Sequence, residues 1–140
     1  MRKFIFFICF IFLTGEVVQA QNKQDLEIVS PNFAGFTGIL LIENCSNDVI
    51  TKILNKRFSK FYKGEFEMIE KDDTDQRSYK DLKKFPYVLR YKSSDYSYRF
   101  EMTDRVTGKI YFTSWNAANT IPAYANMNSY AKELEKLRGK

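Results

Sequence analysis

Histidine is absent from all 140 residues. Imidazole is the usual base of Ser-His and Cys-His catalysis and the commonest metal ligand, so its absence removes both catalytic arrangements and every His-ligated metal site. Cysteine is nearly absent too: only Cys9 and Cys45 occur. Cys9 falls in an N-terminal apolar run, which leaves Cys45 as the one thiol of the remaining chain. A single thiol makes no internal disulfide. Stability must come from packing, and Cys45 reads as a buried structural side chain unless it pairs between chains. Long apolar runs are missing as well. The longest, FIFFICFIFL at positions 4–13, is about half of the roughly 20 residues that span a bilayer.

That short run has a characteristic setting. Arg2 and Lys3 precede it, and Val18 and Ala20 follow at the minus-three and minus-one positions of a cleavage site. The layout predicts a secretory signal peptide over residues 1–20. An uncleaved membrane anchor is the alternative, since Val17 and Val18 prolong the apolar character, but Thr14, Gly15 and Glu16 interrupt it. Position 21 is Gln, so no lipid-bearing cysteine follows the run. Export to the periplasm or the extracellular space is expected, without stable membrane insertion after cleavage. The cleaved chain would carry 20 basic and 16 acidic side chains, a net charge of +4. Export, this modest charge and the lack of a basic-aromatic motif argue against nucleic acid as a partner.

Residues 21–37 read as an extended arm and residues 38–140 as a single α/β domain, a length that suits one core. The stretch GILLI, residues 38–42, predicts a strand buried on both faces, hence one with parallel neighbours. A helix over residues 47–63 follows, with Ser46 or Asn47 as its cap. Val49, Ile50, Ile53, Leu54, Phe58, Phe61 and Tyr62 form its apolar stripe, and Gly64 is expected to end it as a left-handed glycine. Lys52, Lys56, Lys60 and Lys63 lie on the other side, as a solvated face. Residues 65–70 predict a second strand, completing a βαβ unit. The carboxylates Asp72, Asp73 and Asp75 lack the spacing, central glycine and terminal Glu of a calcium loop.

A short helix is expected over residues 78–84. Three alternating strands come next. Tyr87, Leu89 and Tyr91 share one face of the first; Tyr96, Tyr98, Phe100 and Met102 one face of the second; Ile110 and Phe112 one face of the third. Asp104 to Lys109 closes the last hairpin, with Asp104 bonding its own turn and Gly108 at positive φ. A final helix is expected from Asn128 or Ser129, with Tyr130, Leu134 and Leu137 inward. The fold class is α+β: a βαβ unit, then antiparallel strands and a C-terminal helix, in one mixed sheet with the helices mainly on one face.

The stretches ILLIENCSNDVITKILNKRF, GEFEMIE, YVLRYKSS and FEMTDRVTGKIYFTSW carry a resemblance. An apolar strand ends in an Asn-x-Ser step before a capped helix, at Asn44 and Ser46. A later hairpin reads Asp-x-x-Thr-Gly, at Asp104, Thr107 and Gly108, and ends near Trp115. In this the chain resembles the periplasmic α/β-sandwich proteins that include outer-membrane activators of penicillin-binding proteins and the periplasmic domain of the curli secretion channel. The resemblance implies the fold more firmly than the role, because the N-terminal lipid cysteine usual in that group is missing here.

The expected function is a non-catalytic binding module of the bacterial cell envelope, acting on an envelope protein partner. The open sheet face is expected to present Arg90, Lys92, Arg99, Glu101, Tyr111 and Trp115, of which Arg, Tyr and Trp are types enriched at interface hot spots. Two other classes compete: a small secreted inhibitor of a hydrolase or toxin, and a carboxylate-dependent hydrolase using some of Asp104, Asp95, Glu101 and Glu67. No catalytic residue, cofactor or metal is expected.

Overall fold

The structure is a computed structural model. It describes residues 28–113, 116–117 and 123–140. The order is β1 (Leu40–Glu43), α1 (Asp48–Phe61), β2 (Phe66–Ile69), β3 (Tyr87–Ser93), β4 (Ser97–Asp104), β5 (Ile110–Phe112), β6 (Asn116–Ala117) and α2 (Ala123–Arg138). The sheet order is β2-β1-β3-β4-β5, with the short β6 also beside β4. β1 runs parallel to both β2 and β3, whereas β3, β4 and β5 are antiparallel. The fold is α+β with a single mixed sheet.

Local chemistry explains most of these elements. All four residues of β1 are buried, as an apolar strand between two parallel neighbours should be. Asn47 starts α1: its Oδ1 accepts from the amides of Val49 at 2.9 Å and Ile50 at 3.2 Å, two of the donors a helix start leaves unpaired. β4 alternates half-buried and buried side chains along its entire length. The helices cover one face of the sheet. Leu54 and Phe58 of α1 and Met127, Tyr130, Ala131 and Leu134 of α2 pack on Leu40, Ile42, Leu89, Phe100 and Met102. The Tyr130 ring stacks on Phe100 with centroids 4.1 Å apart.

The other face is covered only in part. The connection from β2 to β3 crosses it without an α-helix, through 3-10 turns at Asp73–Asp75 and Arg77–Tyr79. Phe85 and Tyr79 from this connection pack over Leu41, Ile69 and Val88.

Several expectations are corrected. The helix expected over residues 78–84 is a 3-10 turn followed by a single turn. Asp81 Oδ1 accepts from the amides of Lys83 and Lys84, and such local side-chain bonds compete with helix propagation. Gly64 does not adopt the left-handed conformation. The chain leaves α1 in an extended conformation at Tyr62, and Gly64 is needed for space, because a Cβ there would sit 2.6 Å from the Tyr62 hydroxyl. Val49 is exposed and outside the stripe, and so is Tyr96, which precedes β4. α2 begins at Ala123, because Met127 extends its apolar side by a turn. Residues 28–37, within the span read as an arm, form a 3-10 turn at Pro31–Phe33 and bury Val29, Phe33 and Phe36 in the main core.

The largest correction concerns β5. Tyr111, expected on the open face, is 6% exposed on the helix-covered face, whereas Ile110 and Phe112, expected inward, are 53% and 43% exposed. Register decides this. Tyr111 pairs with Met102, Ile110 with Thr103 and Phe112 with Glu101. Residues paired across two strands share a face, so Tyr111 follows Met102 into the core.

Leu54 is fully buried, whereas Lys56 lies on the exposed side of α1. Leu54→Ala should cost about 2–5 kcal/mol, and Lys56→Ala should stay within about 0.5 kcal/mol, both read by denaturant unfolding. Glu135 on α2 gives a pH test. Its carboxylate accepts from Arg138 Nη2 at 2.7 Å and Nε at 2.9 Å, and from the Lys63 amide just past α1 at 2.9 Å. The Arg138 guanidinium, against a smaller effect of burial, holds its pKa below the ordinary value. A depressed carboxylate stabilises above its unfolded pKa, and that contribution is lost as pH falls through the folded one. The Tm of the wild-type chain should therefore fall below about pH 4 more steeply than that of Glu135→Gln.

Candidate functional site

β3, β4 and β5 present their outward side chains on the part of the sheet that no described element covers. The register sets them in rows. Glu43 of β1 lies beside Arg90 of β3, Arg90 opposite Glu101 of β4, and Glu101 opposite Phe112 of β5. One row along, Lys92 is opposite Arg99. Of the six residues expected at this face, Arg90, Lys92, Arg99 and Glu101 are therefore together. Tyr111 is not among them, and Trp115 lies outside the described residues.

Electrostatics ties the row together. Glu43 is 5% exposed, and a carboxylate that deep needs a partner. Arg90 supplies it: Nε donates to Oε2 at 2.8 Å, and Nη2 lies 2.6 Å from Oε1, a Coulombic contact without hydrogen-bond geometry. Arg90 Nη1 also donates to Thr103 Oγ1 at 3.0 Å, so one guanidinium links β1, β3 and β4. Glu101 is shared. Arg99 Nε donates to it at 2.9 Å and Arg99 Nη2 pairs with the same oxygen, while Lys92 Nζ is 3.5 Å from the other. The Arg99 guanidinium also lies 5.0 Å from the centre of the Phe112 ring, within cation–π range.

A cleft of about 270 Å³ opens at the carboxyl ends of β1 and β3, lined by Glu43, Asn44, Cys45, Lys71, Asp72, Arg90 and Lys92 among others. Burial raises the Cys45 thiol pKa, and the Thr51 hydroxyl offsets part of that shift. Among the described residues no three His, Cys, Asp or Glu side chains form a group able to hold a metal ion, and no helix is long and apolar enough to cross a membrane.

The β4–β5 hairpin is built as a turn. Asp104 Oδ1 accepts from the amides of Val106 at 2.9 Å and Thr107 at 3.1 Å, and Oδ2 accepts from Ser30 Oγ at 3.1 Å. Gly108 has φ +73. Arg105, which sequence reasoning passed over, clamps the β2–β3 connection. Its Nη1 donates to the carbonyls of Tyr79 and Phe85, both at 2.8 Å, and its Nη2 to that of Thr74 at 3.1 Å.

The carboxylates weighed for hydrolysis are dispersed. Asp104 points to the covered face and Glu101 to the open one, and Asp95 is in the exposed turn before β4. Glu67 of β2 lies three strand spacings from β4, about 14 Å at roughly 4.8 Å each. That exceeds the roughly 5–9.5 Å between the carboxyls of glycosidases. No protein-family model, curated protein or solved structure matches this chain.

No atom lies within 4 Å of a Cβ built on Gly108, so a side chain there is opposed only by its backbone conformation. Gly108→Val should destabilise by about 1–3 kcal/mol through that strain. Asp104→Asn keeps an oxygen for the two turn amides and should remain folded with a Tm close to wild type. A fully folded Asp104→Asn that has lost a measurable catalytic activity would reassign the turn to chemistry.

Proposed function

We propose that this protein is a non-catalytic binding module of the bacterial cell envelope, exported through residues 1–20, that engages a protein partner through the open face of β3, β4 and β5. One observation carries the reading. Phe112, 43% exposed, lies 5.0 Å from the Arg99 guanidinium, and Ile110, 53% exposed, is opposite the Thr103 that Arg90 bonds, on a sheet face that no described element covers. An apolar patch bordered by guanidinium groups is a usual composition of an interface hot spot. Phe112 and Ile110 take the place that Tyr111 was expected to fill. The dispersal of the carboxylates supports the non-catalytic part. The charged start, short apolar run and Val-x-Ala step of the first twenty residues support export. The resemblance at Asn44, Ser46, Asp104, Thr107 and Gly108 supports the envelope setting.

The test is capture from an envelope extract, with crosslinks mapped by mass spectrometry. Crosslinks should concentrate on β3–β5, and Phe112→Asp should reduce capture about tenfold or more, the usual scale of a hot-spot loss. Lys56→Ala on α1 should leave capture unchanged. Equal capture by Phe112→Asp, or hydrolysis of cell-wall polymers by the purified chain, overturns the reading. A captured hydrolase that loses activity would identify the module as an inhibitor.

A further inference from the structure

We propose that the cleft at the carboxyl ends of β1 and β3 is a carboxylate-receiving site, which takes an acidic segment of the protein partner bound on the adjoining open face. The inference rests on the open-face reading, since Arg90 and Lys92 belong to both surfaces.

Charge is the first ground. Three cations line the cleft, Lys71, Arg90 and Lys92, against the carboxylates Glu43 and Asp72. Glu43 is taken up by Arg90 at 2.6–2.8 Å. Lys71 makes no ion pair among the described residues. Among the described residues Lys92, 54% exposed, has one ion-pair partner, Glu101 at 3.5 Å, and Arg99 engages that carboxylate more closely. Asp72 opposes an incoming anion, as do Glu70 beside Asn44 and Glu101 beside Lys92, so the attraction rests on the side chains of Lys71 and Lys92 that project outward. Lys92 also faces Arg99 directly across β3 and β4. Glu101 bridges these two cations from the strand side and leaves the outward side of Lys92 to an incoming carboxylate.

Position and size are the second ground, and position favours a peptide over a simple anion. Asn44 Nδ2 donates to Glu70 Oε1 at 2.8 Å, which fixes the orientation of the amide. Its Oδ1 is shielded from solvent, so the side chain shapes the cleft wall and offers no acceptor to a ligand. A peptide held on the adjoining open face brings its carboxylate to Lys71 and Lys92 from a segment already bound, whereas an inorganic anion has no such second hold. Size agrees. At about 270 Å³ the cleft is just below the roughly 300–1,000 Å³ of small-molecule pockets, enough for one acidic side chain or a chain end. The carboxyl ends of parallel strands are also where α/β folds commonly place ligands.

The test uses the full chain and two synthetic seven-residue peptides: one with three glutamates among valine and tyrosine, and its twin with three glutamines. Fluorescence anisotropy at low salt should show the glutamate peptide binding about tenfold more tightly, a preference that shrinks as salt screens the charges. Lys71→Glu and Lys92→Glu should each reduce the preference about fivefold or more. Lys71→Gln and Lys92→Gln should reduce it less, and Lys56→Glu on the far side of α1 should leave it intact. The glutamate peptide should also slow alkylation of Cys45, read on the Cys45-containing peptide by mass spectrometry. Equal binding of the two peptides, an equal loss in Lys56→Glu, or displacement by inorganic phosphate at concentrations matching the peptide's own affinity would each overturn the inference. If the envelope partner is lost by Phe112→Asp but held normally by Lys71→Glu, the open-face reading stands and this inference falls. If Phe112→Asp holds the partner too, the open-face reading itself falls.

Discussion

The pairing of Glu43 with Arg90 decides how the sheet is used. A carboxylate at the end of an otherwise apolar central strand cannot be buried alone. Arg90 on the neighbouring parallel strand answers it, and through Thr103 reaches the next strand as well. With Glu101 and Arg99 alongside, a charged band crosses β1, β3 and β4. Covering that band with a helix would desolvate several charges at once, whose mutual attraction often fails to repay the penalty. Both helices lie on the other face, where Leu40, Ile42, Leu89, Phe100 and Met102 offer apolar area. The arginines and Lys92 of the band keep contact with water, while Glu43 and Glu101 lie beneath them.

The rest of that face is closed by economical means. The β2–β3 connection lays Phe85 and Tyr79 over Leu41 and Val88 and stops short of β4. Arg105 holds this irregular segment through three backbone carbonyls. It fills the role that hydrogen bonds within a helix would otherwise fill, since buried carbonyls need donors wherever they lie. Burial lowers the guanidinium's pKa, partly offset by Asp75, yet arginine remains a cation under such shifts. The turn that carries Arg105 is itself held by Asp104, so the hairpin residues act as joinery between the open face and its cover.

The sequence shows clearly where one short-range rule decides the outcome. Leu40, Leu41 and Ile42 are consecutive and apolar, which marks a strand flanked on both sides. Asn47 and the spacing of Ile50, Leu54 and Phe58 mark α1, and the alternation from Ser97 to Asp104 marks β4. Elsewhere the decisive partner lies far along the chain. Ile110, Tyr111 and Phe112 are all apolar, so their own pattern carries no phase; pairing with Met102 supplies it. Glu43 follows an apolar run and looks like the residue after a strand, because the arginine that allows its burial is 47 positions away. Arg105 resembles an ordinary turn residue because its acceptors lie 20 to 31 positions upstream. Four of the candidate face residues were legible, as outward positions of β3 and β4. The apolar patch beside them, on edge strand β5, was not, because it depends on the phase of β5.

The functional account therefore rests on which side of the sheet Phe112 and Tyr111 occupy. Hydroxyl-radical footprinting of the free chain reads this residue by residue, since aromatic rings are oxidised in proportion to their exposure. Phe112 should be oxidised readily, while Tyr111 and Phe100 are protected. Strong oxidation of Tyr111 with protection of Phe112 would reverse β5, remove the apolar patch of the open face and contradict the account.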